Sequence, residues 1–441
     1  MRILAALFAL LALAAPAVAE AHLTREERRM VEAVDRETER SIALLERLVN
    51  QNSGTLNLEG VEAVGRMVGA ELEPLGFDVR WVDMRETGRA GHLIARHRGN
   101  GFGKRILLIA HLDTVFEPDS PFQSFRREGE RGIGPGVGDD KGGIVVIIAA
   151  LRAMHAAGTL RDADIMVVLT GDEERPGSPV EVARRDLVAA GEWADVALEF
   201  ENLSHEDGRE FGTIARRSST SWTLTATGRT GHSSGIFSED LGYGAIYEMA
   251  RIIDAFRREL PEPNLTYNVG VIAGGTPAAI DDQGLAVTAS GKTNIVAERA
   301  IARGDIRTLT PEQEARVRAR MQAIVAQHLP HTSAELVFSD DDYPPMPPTE
   351  GNRAVLARLN AVNRDLGLPQ MAPFDPARRG AADSSFVAHL ADVLAGIGVA
   401  GGRAHAPDEW IFLDSIARQA KRAAILITRL SREPRGDGER G

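Results

Sequence analysis

Histidines and carboxylates in this sequence stand where apolar runs stop. The stretch Lys104 to Thr114 reads KRILLIAHLDT, and its non-alternating apolar run ends abruptly at His111-Leu112-Asp113. That pattern predicts a strand covered on both faces, with its polar residues at the C-terminal end. Asp164 to Thr170, DIMVVLT, repeats it and runs into Gly171-Asp172-Glu173-Glu174; Ala194 to Phe200 repeats it again and delivers Glu199 and Glu201. Asp139 and Asp140 follow a Gly-rich passage, Gly129 to Gly138, and His405 lies in the loop GGRAHAPDEW. Side chains at such strand ends face the crevice where open α/β sheets hold ligands. Imidazole and carboxylate donors gathered there are what a hydrolytic zinc site takes. His at i and Asp at i+2 share one side of an extended segment, so Asp113 can hydrogen-bond the ring nitrogen of His111 that faces away from a metal.

Singly, each group has a plainer reading: His111 with Asp113 as a buried polar pair, Asp139 and Asp140 as caps of the following helix, the three-acid run as a solvated face. The joint occurrence at successive strand ends favours the site. Carboxylates placed this close repel one another unless a cation sits between them. Glu199 and Glu201 point the same way, and the terminal Glu201 is the preferred ligand.

The positioning elements follow from the rest of the chain. Residues 1–19, MRILAALFALLALAAPAVA, have one early Arg, a short apolar run and Ala17-Val18-Ala19 before Glu20, the pattern of a cleaved signal peptide. The mature chain is therefore expected in the periplasm or secreted, without stable membrane insertion. About 420 further residues exceed one ordinary core, so more than one domain is expected. There is no Cys, which excludes disulfides and thiolate ligands. A net charge of -12, from 63 acidic and 51 basic residues, argues against nucleic acid as a partner.

Thr24 to Asn50 has helical spacing, with Thr24 and Glu27 fitting a capping box. A second amphipathic helix ends before Gly76, strands are expected over Phe77 to Asp83 and Gly91 to His97, and an apolar helix follows Asp140. From Arg216 to Asp342 the order β-α-β-β-α-β is that of a two-layer unit able to close on itself. The predicted organisation is α/β: a catalytic domain in two parts, 20–215 and 343–431, interrupted by the unit 216–342, with a disordered tail over 432–441.

HLDT at 111–114, GPGVGDDKGG at 134–143, GDEE at 171–174, ALEFEN at 197–202, GRTGHSS at 228–234 and AHAPDE at 404–409 together resemble the M20 family of zinc metallopeptidases, the glutamate carboxypeptidase branch above all. The resemblance spans nearly the whole mature chain, in order. It implies a zinc-peptidase-like mixed-sheet catalytic domain with an inserted α+β dimerisation domain. It also implies two zinc ions, for which cobalt or manganese could substitute: His111 and Glu201 on one, Glu174 and His405 on the other, Asp139 bridging. Spacing alone leaves open which of Glu174 and Glu201 partners which histidine.

The resemblance further makes Glu173 the general base toward a metal-bridging water or hydroxide, and Asp113 the partner of His111. His232 would reach across a homodimer, formed through the insert, into the partner's site. Arg307, with Asn294 beside it, would hold the substrate carboxylate, and Asp383 would line the substrate. Two departures stand out. Asp140 replaces the usual apolar residue, adding a negative charge, and Gly380-Ala381-Ala382-Asp383 replaces a Gly-Gly-Thr/Ser-Asp run. The expected activity is cleavage of an amide or peptide bond beside a free carboxylate, in a small peptide by a carboxypeptidase or dipeptidase. The alternative is an N-acyl-amino-acid deacylase or amidase with the same metals. A two-lobed binding protein would have no use for Glu173 beside five metal-suited side chains.

Overall fold

The structure, a computed structural model, describes residues 23–281, 286–340 and 342–435. The segment 1–19 and the tail beyond 435 lie outside the described residues. Residues 432–435, grouped with the tail on composition, are held to the main lobe: Glu433 pairs with Arg358 and Lys104, and Arg435 with Asp164.

A six-stranded mixed sheet forms the centre of the main lobe, in the order Asp78–Asp83, Gly91–His97, Ile165–Thr170, Ile106–His111, Val196–Glu199, Asp392–Leu394. The first three strands pair antiparallel and the last four parallel. The strand Ile106–His111 is buried along its whole length. Ile106, Leu108 and Ala110 enter one core while Leu107 and Ile109 enter another on the opposite face. That two-sided burial is the physical content of its non-alternating sequence.

On the first face lies the helix Lys141–Ala157, almost wholly buried, beneath the helices Arg25–Arg36 and Asp414–Leu430. It ends at Gly158, whose φ of 80° suits a residue without Cβ. The capping box at Thr24 forms, with Glu27 N donating to Thr24 Oγ1 and Thr24 N to the Glu27 carboxylate. The helical stretch expected over 24–50 is divided in two at Glu37, whose φ of -100° and ψ of 7° leave the helical region.

The insert is a four-stranded antiparallel sheet ordered Thr266–Gly275, Arg299–Arg307, Thr220–Gly228, Thr332–Phe338. The helices Gly244–Glu259 and Pro311–Val325 cover one face around Trp222, Leu224, Met249, Phe256, Ile306 and Met321. It has a core of its own, separate from the two that flank the main sheet.

Candidate active site

Parallel register brings the three acid-bearing strand ends level. His111 is opposite Thr170, and Ile109 is opposite Glu199, so Gly171 to Glu174 and Phe200-Glu201 leave the sheet beside His111. The His111 ring is buried. Its Nδ1 lies 3.1 Å from the Asp113 carbonyl and 3.3 Å from Asp113 Oδ1, while Nε2 is 3.0 Å from Asp139 Oδ1. The other oxygen of Asp139 is 3.2 Å from His405 Nε2, which is also 3.1 Å from Glu174 Oε2. Asp139 thus stands between the two imidazoles.

The loop carrying Asp139 is held by Glu409, which accepts from the backbone N–H groups of Gly136 (3.1 Å), Gly138 (2.7 Å) and Asp139 (2.9 Å). A Cβ at Gly138 would fall 2.6 Å from Asn202 Oδ1, so a larger residue there would have to displace that side chain. Asp113 does more than orient His111. It accepts from Thr55 Oγ1 at 2.7 Å and from the backbone N–H groups of Glu173 and Glu174 at 3.0 and 3.2 Å, which fixes the acid run against the histidine. The carbonyl of Glu173 accepts from the Tyr343 hydroxyl at 2.8 Å. Among the described residues none donates a hydrogen bond to the Glu173 carboxylate, which leaves it available for chemistry.

Two sets of ligand atoms lie within 4.8 Å of one another: His111, Asp139 and Glu174, and His111, Glu173 and Glu201. Glu174 contacts His405, while Glu174 and Glu201 each bring a carboxylate oxygen within 4.8 Å of a His111 ring nitrogen. Glu199 is taken up elsewhere, accepting from Ser384 N at 2.9 Å and Arg216 Nη2 at 2.7 Å. Arg216 Nη2 also reaches Glu201 Oε2 at 2.6 Å.

The electrostatics suit a cation. Burial pushes Glu173 and Glu174 up from the ordinary carboxylate range and Glu201 to about 7, with neighbouring carboxylates adding to each shift. Hydrogen bonds to Asp139 and Glu174 raise His405 to about 10; burial opposes a rise at His111, but Asp113 and Asp139 prevail. A metal would take the place of these protons, since a histidine must be neutral to ligate. Among the described residues Glu174 Oε1 is buried without a hydrogen-bond partner. The donor set of two imidazoles and three carboxylates fits a pair of zinc ions.

Two expectations need correction. Asp383 is buried with one oxygen accepting from Arg184 Nε at 2.7 Å and the other from the Thr170 hydroxyl, so its side chain braces the strand end. Asn294 is not beside Arg307. Arg307 ends the strand Arg299–Arg307 and lies against the loop at Gly380, whereas Asn294 precedes that strand's other end, where its carbonyl accepts from Ser233 N next to the exposed His232. Nine residues of strand separate the two ends by roughly 26 Å. Asp140 is fully buried, and burial pushes its carboxyl well above the usual carboxylate range.

No local pattern announces Arg184, whose guanidinium joins Asp172 and Asp383, nor Arg216 or Tyr343. Glu409 lies within AHAPDE, but its role depends on amides some 270 residues away.

Comparison with known proteins agrees with this geometry. The chain is 26% identical to carboxypeptidase G2 of Pseudomonas sp. (strain RS-16) over 392 residues, 88% of each chain. It is 28% identical to succinyl-diaminopimelate desuccinylase of Granulibacter bethesdensis over 374 residues, 79% of this chain and 88% of the relative. In fold it is similar to the Bacillus subtilis YXEP protein, described as a dinuclear metal binding peptidase from the M20 family, with a TM-score of 0.62 at 14% identity over 90% of this chain and 98% of that one. Residues 107–429, which contain every side chain of the cluster just described, match the model of peptidase family M20/M25/M40, and the chain belongs to that family of hydrolytic enzymes.

Proposed function

We propose that this protein is an exported di-zinc hydrolase that cleaves an amide or peptide bond next to a free carboxylate, as a carboxypeptidase or dipeptidase. The observation that carries the reading is Asp139 set between His111 and His405, with Glu174 and Glu201 alongside and the Glu173 carboxylate left without a protein donor. His111, Asp139 and Glu201 would hold one ion, and His405, Asp139 and Glu174 the other. The chemistry a pair of zinc ions supplies when bound is Lewis acidity toward the scissile carbonyl and acidification of water. Glu173, buried and raised in pKa, takes a proton from the attacking water and returns it to the leaving nitrogen. Arg307, at the main-lobe end of its strand, grips the substrate carboxylate.

His232 and Asn294 act from a second subunit. A dimer surface is available: the edge strand Thr266–Gly275 exposes Ile272 (57%) and the adjoining helix exposes Tyr247 (50%) and Ile246, next to the His232 turn. Export rests on the signal-like segment 1–19. Among the described residues no helix is long and apolar enough to cross a membrane.

The similarity to a desuccinylase favours a second reading, removal of an acyl group from an N-acyl amino acid by the same machinery. One experiment tests both. Metal-replete protein is assayed on dipeptides and N-acyl amino acids, each with its carboxylate free and amidated, alongside elemental analysis. The expected result is two ions per chain and a strong preference for the free acids. Fewer than one ion per chain, or equal cleavage of the amidated forms, would overturn the metal count and the carboxylate clamp respectively.

A further inference from the structure

Two strands carry the chain into and out of the insert, and they pair with each other on the way. Arg216 and Met346 exchange backbone hydrogen bonds of 2.9 Å, and Ser219 and Tyr343 exchange bonds of 3.0 Å. Met346 is fully buried in the core on the second face of the main sheet, which anchors the ribbon at that end.

Each strand of this ribbon also sends one buried side chain into the catalytic wall. From the outgoing strand, Arg216 donates through Nη2 to Glu199 (2.7 Å) and Glu201 (2.6 Å) and through Nη1 to the Gly380 carbonyl (3.2 Å). From the returning strand, the Tyr343 hydroxyl donates to the Glu173 carbonyl and accepts from Arg184 Nη2, both at 2.8 Å, while its ring packs edge-on against Phe386. A residue that served only to fill the junction would need no such reach. Hydrogen bonds tolerate little stretching, so a change in the angle of the insert must either carry these side chains along or break their bonds.

We propose that Arg216 and Tyr343 are positioning residues that make the seating of Glu201 and Glu173 depend on the posture of the insert. A substrate gripped from the insert by Arg307 then draws the ribbon, and with it the base and one metal-site carboxylate, into working position. The proposal rests on the roles given to Glu173, Glu201 and Arg307 above, and it is tested in one arm that uses all three roles and one that uses only the metal-binding role of Glu201.

In the first arm, wild type, Tyr343→Phe and Arg216→Lys are compared on an N-acyl amino acid and its amidated counterpart, which Arg307 cannot grip. Tyr343→Phe keeps the ring against Phe386 and removes only the hydroxyl. It should lower kcat on the free acid about 10-fold or more, change KM less than about 3-fold, and leave kcat on the amidated substrate near wild type. Equal losses on both substrates, or an effect confined to KM, would overturn the proposal in favour of a merely structural role. In the second arm, spin labels are placed on metal-stripped protein through Phe102→Cys in the main lobe and Val337→Cys in the insert, both exposed positions in a chain with no other Cys. Zinc alone is then titrated in. Engagement of Glu201 should shift or narrow the interlobe distance distribution in the otherwise native chain and not in Arg216→Met. The same response in both, or none in either, would overturn the coupling. If wild type cleaves neither substrate, the proposed function fails and the zinc arm still decides the mechanical link.

Discussion

At the residue scale the main question is what distinguishes Glu173 from Glu174. Both are half-buried acids at one strand end, yet Glu174 Oε2 contacts His405 while none of the described residues donates to the Glu173 carboxylate. The backbone of Glu173 is fixed at both ends, by Asp113 on its N–H and Tyr343 on its carbonyl, so a change of side chain alone should not move it. Glu173→Gln keeps the shape and loses the ability to accept a proton. Its kcat should fall by about 10² to 10⁴ with both metals retained and an unchanged melting temperature, as stopped assays, elemental analysis and calorimetry would report. Loss of one ion would instead make Glu173 a ligand, a role its closeness to His111 and Glu201 permits. The placement of both acids at a strand end was legible in the sequence because the run follows an apolar stretch. Asp383 was misread for the opposite reason: its partner Arg184 lies 199 residues away in the chain, and no local pattern announces that a loop acid will be consumed by a buried guanidinium.

Among the elements, those buried on both faces were the most legible. Gly91–His97 falls at its expected bounds, and Ile165–Thr170 and Val196–Glu199 within a residue or two, because continuous apolar sequence leaves a strand no other place to go. Short surface strands such as Ser204–Glu206 and Arg209–Gly212 carry no such signal, being mostly polar. The first helix shows how an element is tied to the fold. Glu27 serves the capping box and also pairs with Arg429 of the last helix at 2.7 Å. Burial opposes ionisation there, but Arg429 and Thr24 outweigh it and hold the Glu27 carboxyl below its ordinary value. A depressed carboxylate pKa contributes stability that is present above the unfolded value of about 4.3 and is lost as pH falls through the folded value. Glu27→Gln can still accept from Thr24 N but not pair ionically. It should be less stable by about 1 kcal/mol at pH 7, and the gap should close as pH drops below 4. Denaturant titrations of both proteins at several pH values read this directly, since any metal loss in acid is common to the two.

At the scale of the whole molecule, the separation of His232 and Asn294 from Arg307 decides how a complete site is assembled. Within one chain the two groups lie at opposite ends of the strand Arg299–Arg307, and all the recorded partners of His232 belong to the insert itself. A single sequence places these residues in one domain and cannot say which copy of the site each one serves, because that depends on a symmetry operation between chains. If His232 completes the partner's site, chains carrying His232→Ala and chains carrying Glu173→Gln should each be nearly inactive alone. In a heterodimer of the two, the site on the His232→Ala chain keeps its own Glu173 and receives an intact His232 from its partner. The other site holds both defects. Random reassociation of an equal mixture makes half the dimers mixed, each with one sound site of two, so about a quarter of wild-type activity should return. If His232 acts within its own chain, every site in the mixture carries one defect and nothing returns. Light scattering on the mixture establishes that dimers have formed, and a fully active monomer would remove the need for a second chain altogether.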